Sequence, residues 1–179
     1  MLQMLERIDF NILIFIHNTT PNIIFDKVML CITLLGNMGM VWIIISILLV
    51  LNRKYRYVGI MCMASLILAA ILGEGILKNI IQRPRPFSQV PAVSILITKP
   101  MSYSFPSGHT ASSFAVAGII SNTLRKYKIY AILLATLIAF SRLYLFVHYP
   151  SDILAGILLG VMCSRIVLKV YGNRYVSMK

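Results

Sequence analysis

Five stretches of this 179-residue chain are apolar enough to lie across a lipid bilayer, and nothing else in the sequence limits its fold so strongly. They fall at 38–52, 57–81, 108–123, 127–144 and 151–170. A hydrocarbon core about 30 Å thick takes roughly 20 residues of helix, and within it the backbone must satisfy its own polar groups. The first and third runs are short, so their ends are expected to reach into the interface. Composition agrees, with 59% hydrophobic and 12% charged residues; soluble domains carry about twice that share of charge. No linker, repeat or low-complexity stretch interrupts the chain. Residues 1–179 are therefore expected to form a single all-α domain, a polytopic membrane bundle with five spans.

Two weaker stretches, 2–17 and 22–35, precede the spans and are separated by Asn18-Thr19-Thr20-Pro21. Asp9, Asp26 and Lys27 make them poor full spans, so they read as helices at the interface or partly inserted. A sixth span built from part of this region is the alternative. The first nine residues lack a basic segment before an apolar core, so no cleavable signal is expected. Cys31, Cys62 and Cys163 stand singly inside apolar runs and read as small buried hydrophobes. Gly156, Gly160 and Ser164 share one helix face, as do Ala111 and Ala115, a spacing that lets helix backbones approach closely.

Lys and Arg number 17 against 5 Asp and Glu. A basic excess is also a mark of nucleic-acid binding, but that needs a polar surface this chain lacks, so no nucleic-acid partner is expected. The cations instead sort by loop. Arg53, Lys54 and Arg56 fill one, Arg125, Lys126 and Lys128 another, and Arg165, Lys169, Arg174 and Lys179 gather near the C-terminus. Five alternating spans put these clusters on one side, the cytoplasm by the positive-inside rule. The C-terminus is then cytoplasmic.

The remaining ionisable residues concentrate at the opposite ends of the spans. Lys78, Arg83 and Arg85 close the second span, Ser107-Gly108-His109 opens the third, and Arg142, His148 and Asp152 lie between the fourth and fifth. Ionisable groups at membrane depth are costly, which makes a functional site the default reading. Lys78, Arg83, Arg85 and Arg142 offer up to four cations, and guanidinium forks suit phosphate oxygens. Pro106-Ser107-Gly108 sets bare backbone at a helix N-terminus, which attracts an anion, and the Ser107 hydroxyl adds a donor. Pro150 fits a first helical turn. That would hold Asp152 near the Nδ1 of His148 and leave Nε2 free as a nucleophile, with His109 as proton donor. Taken singly each feature has a bland explanation, and His17 is read as polar packing. Arg83 serves equally to hold a lipid headgroup or a loop carbonyl. Glu74, one turn before Lys78, reads first as its ion-pair partner and only second as a catalytic group.

Lys78-x6-Arg85-Pro86, Pro106-Ser107-Gly108-His109 and Ser141-Arg142-x5-His148-x3-Asp152 resemble, in order and without a gap, the three-part signature of the type 2 phosphatidic acid phosphatase superfamily. The resemblance implies a metal-independent phosphatase needing no cofactor. It assigns attack on phosphorus to His148, its orientation to Asp152 and acid catalysis to His109. Lys78, Arg85, Ser107, Gly108 and Arg142 would bind the phosphoryl group.

The resulting expectation is a multi-pass cell-membrane enzyme acting at the outward, periplasmic or extracellular, face on a lipid phosphate or pyrophosphate drawn from the bilayer. Undecaprenyl pyrophosphate is the first choice. Phosphatidylglycerophosphate and phosphatidic acid come next, and a lipid phosphotransferase remains open. A non-catalytic protein that binds anionic lipids would need neither acid nor nucleophile.

Overall fold

The computed structural model describes residues 2–19, 22–90 and 95–176. Thr20 and Pro21 of the expected break and Lys179 of the C-terminal basic cluster lie outside the described residues, as does the side chain of Arg174. All regular structure among the described residues is helical: α1 (Leu2–Thr19), α2 (Ile23–Gly36), α3 (Met40–Leu51), α4 (Arg56–Ala70), α5 (Lys78–Ile81), α6 (Pro86–Gln89), α7 (Gly108–Thr123), α8 (Lys128–Tyr144) and α9 (Pro150–Val176).

Local chemistry sets the breaks. Asn22 caps α2, its side chain accepting from the Ile24 N–H at 2.8 Å, which satisfies one of the orphan donors of a helix start. Met38 and Gly39 take positive φ of 50° and 69° and redirect the chain from α2 into α3. The helix from Arg56 runs through a π-helical stretch, Ile71–Leu77, before α5. It stops at Gln82, where φ is 47°, because Pro84 and Pro86 lack the N–H groups that continuation needs. Pro150 heads α9, where a missing N–H costs nothing.

Among the described residues, four helical runs are long and apolar enough to cross a membrane: Ile23–Leu51, Arg56–Gln89, Arg125–Tyr144 and Pro150–Tyr171. The five expected spans are thus not all met. The helix expected at 108–123 is present as α7, but at 16 residues it is about 24 Å long. It is also rich in Ser, Thr, Ala and Gly because it is the central helix, packed against α4, α8 and α9. A helix that faces protein on several sides need not be apolar enough for lipid. The first expected span begins earlier than 38, since 22–35 forms the first half of the kinked run Ile23–Leu51. Asp26, which argued against that, accepts the Tyr144 hydroxyl at 2.5 Å. α1 stays outside the set of spans. It presents Asp9 and Leu13 inward, one turn apart, and Leu13 packs with Phe146 and Tyr149 at the end of the bundle.

Trp42 is fully buried and donates from Nε1 to Ser113 Oγ at 2.8 Å, tying α3 to α7. Cys62 and Cys163 are buried as expected; Cys31 is exposed, because its face of α2 points away from the other helices. The small-residue faces meet. A Cβ on Gly160 would lie 2.5 Å from the Ala111 carbonyl oxygen and 2.8 Å from the Ala115 nitrogen. Backbone cannot yield as a flexible side chain does. Gly160→Ala is therefore expected to destabilise the fold by about 1–3 kcal/mol, read as a lowered Tm in detergent. Gly75→Ala, with nothing nearer than 4.0 Å, is the control and should leave the Tm unchanged or raise it.

Candidate active site

The three polar segments converge at one end of α7. Arg85 follows the Gln82 stop, and its fork is spent on the loop ahead of α7: Nε donates to the Ser102 carbonyl at 2.7 Å and Nη2 to the Tyr103 carbonyl at 3.2 Å. Nη1 donates to the Val147 carbonyl at 2.9 Å and lies 3.2 Å from His148 Nε2. The last turn of α8 supplies Arg142, whose Nη1 donates to Thr33 Oγ1 while its buried Nε has no hydrogen-bond partner among the described residues. Burial of a guanidinium N–H without a partner is expensive, so this donor marks a place for an anion.

His148 sits in the α8–α9 loop and is almost fully buried. Asp152, one turn along, has Oδ2 3.5 Å from His148 Nδ1. The same oxygen accepts from Ser104 Oγ at 2.5 Å and from the Tyr149 N–H at 2.9 Å. The His148 imidazole is held far down, at about 3. Burial is the main cause, opposed by the hydrogen bond to Asp152 and reinforced by the charges of Arg85 and Arg142. It is unprotonated at neutral pH, the form in which Nε2 can attack an electrophile.

His109 enters from the first turn of α7, its Nε2 3.0 Å from Asn37 Oδ1. Gly36 lies against its ring, where a Cβ would come within 2.8 Å of Cδ2. Lys78 Nζ is gripped by both oxygens of Glu74, at 2.6 and 2.7 Å. That carboxylate also abuts Gly108, whose missing side chain makes room for it. Glu74 therefore lies at the start of α7, where a phosphate was expected. Ser107 is set back: its N–H donates to the Asp152 carbonyl at 3.1 Å and its Oγ accepts from Thr110 at 2.9 Å.

Lys78, Arg85, Gly108, His109, Arg142 and His148 face a common cavity of about 970 Å³. One wall is apolar, with Leu34, Ile43, Met63, Leu66 and Ile67 from α2, α3 and α4, while Glu74, Lys99 and Ser102 add polar lining. Ser107, Arg83 and Asp152 stand behind the lining. The arrangement is a cluster of cations and two imidazoles at one end of an apolar chamber, suited to an anionic group on an apolar body.

A family model, the PAP2 superfamily, matches residues 57–175 and so takes in the polar segments at 78–85, 107–109 and 142–152. The chain belongs to the PAP2 superfamily. Among curated relatives it is 36% identical over 132 residues to an undecaprenyl-diphosphatase of Sulfolobus acidocaldarius, covering 73% of this chain and 63% of that protein. It is 34% identical over 116 residues to the bacitracin transport permease protein BcrC of Bacillus licheniformis, covering 65% and 57%. The chain thus spans about three fifths of the length of these relatives. Among solved structures, Aquifex aeolicus LpxE superposes with a TM-score of 0.79 at 30% identity, over 90% of this chain and 95% of that one. A PAP2 type phosphatidylglycerolphosphate phosphatase from Bacillus subtilis gives 0.76 at 26%, over 94% and 86%.

Several neighbours of this PAP2 site carry no motif. Thr33 and Asn37, from α2 and the turn after it, hold Arg142 and His109. Ser102 accepts from Arg85 Nη2 at 3.1 Å. Asp9, which in the sequence was only an obstacle to crossing the membrane, is 2% exposed and pairs with Arg83 at 2.7 Å. A carboxylate beside an otherwise apolar helical face was the one available signal.

Proposed function

We propose that this protein is a phosphatase that removes a phosphoryl group from a membrane lipid phosphate or pyrophosphate, with undecaprenyl pyrophosphate as the first substrate to test. The observation that carries the reading is the buried His148, its Nε2 3.2 Å from Arg85 Nη1, facing a cavity with Lys78 and Arg142 at one end and an apolar wall from α2, α3 and α4. In the first displacement Nε2 attacks phosphorus. The bond from phosphorus to the leaving oxygen breaks, and His109 gives that oxygen a proton. In the second, water attacks the phosphohistidine, His109 takes the water's proton, the P–N bond breaks and inorganic phosphate departs. Arg85, Arg142 and Lys78 stabilise charge on the equatorial oxygens. For Lys78 to do so, Glu74 must give up its grip as the phosphate arrives. The relatives' names favour a polyprenyl carrier, since one acts on undecaprenyl diphosphate. A decaprenylphosphoryl-5-phosphoribose phosphatase of Mycobacterium tuberculosis is 34% identical over 104 residues.

Phosphate release from purified protein with chelator present tests the reading, using undecaprenyl pyrophosphate, phosphatidylglycerophosphate, phosphatidic acid and a soluble phosphomonoester. Release is expected from the lipids, fastest from undecaprenyl pyrophosphate. Failure on every lipid overturns it. An acceptor alcohol added to the same assay separates hydrolysis from transfer.

We further propose that α7 completes a five-crossing topology with the site on the outward face and the C-terminus in the cytoplasm. The basic loops at 53–56 and 125–128 support this. In a background without native cysteines, Lys99→Cys should react with a membrane-impermeant thiol reagent in intact cells. Lys126→Cys should react only after permeabilisation. The reverse pattern inverts the orientation.

A further inference from the structure

We infer that Asp9, on the N-terminal helix outside the family-matched region, is a positioning residue that sets the carboxylate of Asp152 through Arg83. The inference rests on the phosphatase reading above, which gives Asp152 its work.

Arg83 does not face the cavity. Its Nη1 donates to Asp152 Oδ1 at 2.7 Å and to Ser151 Oγ at 2.7 Å, and its Nη2 donates to Asp9 Oδ2 at 2.7 Å. The guanidinium carbon lies 3.9 Å from the centre of the Tyr149 ring. Asp9 also reaches the first turn of α9, where Oδ1 accepts the Ser151 N–H at 2.9 Å and Oδ2 accepts the Ser151 hydroxyl. Both carboxylates are nearly inaccessible to water, at 2% exposure for Asp9 and 0% for Asp152. The planar fork of Arg83 is thus shared between two buried anions, and each hydrogen bond fixes the plane of the next group.

Asp152 is held from both ends. Arg83 takes Oδ1, while Ser104 and Tyr149 take Oδ2, the oxygen nearest His148 Nδ1. With Asp9 in place, Arg83 divides its charge between two counter-ions, and Asp152 keeps negative charge for the imidazolium that forms when His148 is engaged. With Asp9 neutral, Asp152 becomes the sole counter-ion of Arg83 and is drawn from His148. The nucleophile is then less well oriented and less stabilised, although the lining of the cavity is unchanged. α1, which is not among the four runs long and apolar enough to cross a membrane, is thereby a working part of the site.

The test is a double-mutant cycle on the full chain in detergent. Asp9→Asn is expected to lower kcat about 10- to 100-fold, the usual cost of losing a partner that orients a reacting group, with KM within about twofold. In an Asp152→Asn background the same change should cost nothing further, because the group it positions is gone. Losses that multiply overturn the inference, as does a rise in KM with kcat unchanged. Arg83→Lys, which keeps the charge but not the fork, should reproduce the kcat loss if Asp9→Asn folds poorly. Imidazole ¹⁵N spectra of the substrate-free protein provide a readout independent of activity. Asp9→Asn and Arg83→Lys should both move the His148 resonances and leave those of His109 in place. If the wild type releases no phosphate from any lipid, the phosphatase reading fails and these spectra still decide whether Asp9 acts on His148. Unmoved His148 resonances reject it.

Discussion

His148→Ala is expected to reduce lipid phosphate hydrolysis at least about 10⁴-fold. Loss of the nucleophile in a serine protease costs on the order of 10⁶ in kcat, with residual rate supplied by binding and charge stabilisation alone. Here Arg85, Arg142 and Lys78 remain to bind and polarise the substrate, so KM should change much less than kcat. Quenching the wild type under base with labelled substrate should trap a phosphoramidate that survives alkali and is lost in acid; His148→Ala should yield none. Vanadate, which adopts the five-coordinate geometry of the transferring group, should bind the variant far more weakly, since its axial nitrogen ligand is missing. A variant with near wild-type turnover, or label on another residue, would mean that water attacks phosphorus directly. The low proton affinity of His148 adds a pH signature. Its folded value is about 3, against about 6.5 when exposed. As pH falls below about 6.5 the unfolded chain gains a proton that the fold refuses, so this contribution to stability is lost between there and about 3. The folded ring itself stays mostly unprotonated until pH approaches about 3.

The clustering of the polar residues was readable because the signals for it are local. Lys78, Arg85, His109, Arg142, His148 and Asp152 lie in short motifs around helix ends, and their residue types already point to phosphate. Helix boundaries were readable where proline or glycine enforces them, as at Pro150 and at Gly108. The pattern became illegible where a helix meets protein instead of lipid. α7 falls outside the long apolar runs because it is short and because its neighbours are α4, α8 and α9, which lets it carry small and polar residues. α2 carries Asp26, yet is part of a long apolar run because Tyr144 satisfies that carboxylate 118 residues away. Arg83 shows the same limit: in the sequence it serves equally to hold a lipid headgroup or a loop carbonyl, and only the distant Asp9 and Asp152 reveal its partners. Hydropathy and spacing record what a segment needs on average. They do not record a partner supplied from across the fold.

Asp152→Asn is expected to lower kcat by on the order of 10⁴, the loss seen when the aspartate that orients a protease histidine is made asparagine. The change is less neutral for this fold than an isosteric swap suggests. Oδ2 accepts from Ser104 Oγ and the Tyr149 N–H, and Oδ1 accepts from Arg83. An asparagine can keep its oxygen toward one side only. If the oxygen faces Ser104, the NH₂ meets the Arg83 guanidinium donor to donor; flipped, it meets Ser104, Tyr149 and His148. A lowered Tm should therefore accompany the kinetic loss. The effect on His148 has a definite sign. Asp152 raises the proton affinity of the ring, while burial and the charges of Arg85 and Arg142 lower it. Removing the carboxylate should push the imidazole titration below its already low position, and Arg85→Gln should bring it upward. Imidazole ¹⁵N shifts followed during acidification distinguish the two variants. If Asp152→Asn leaves the His148 titration in place while activity falls, the aspartate serves the fold and does not tune the nucleophile.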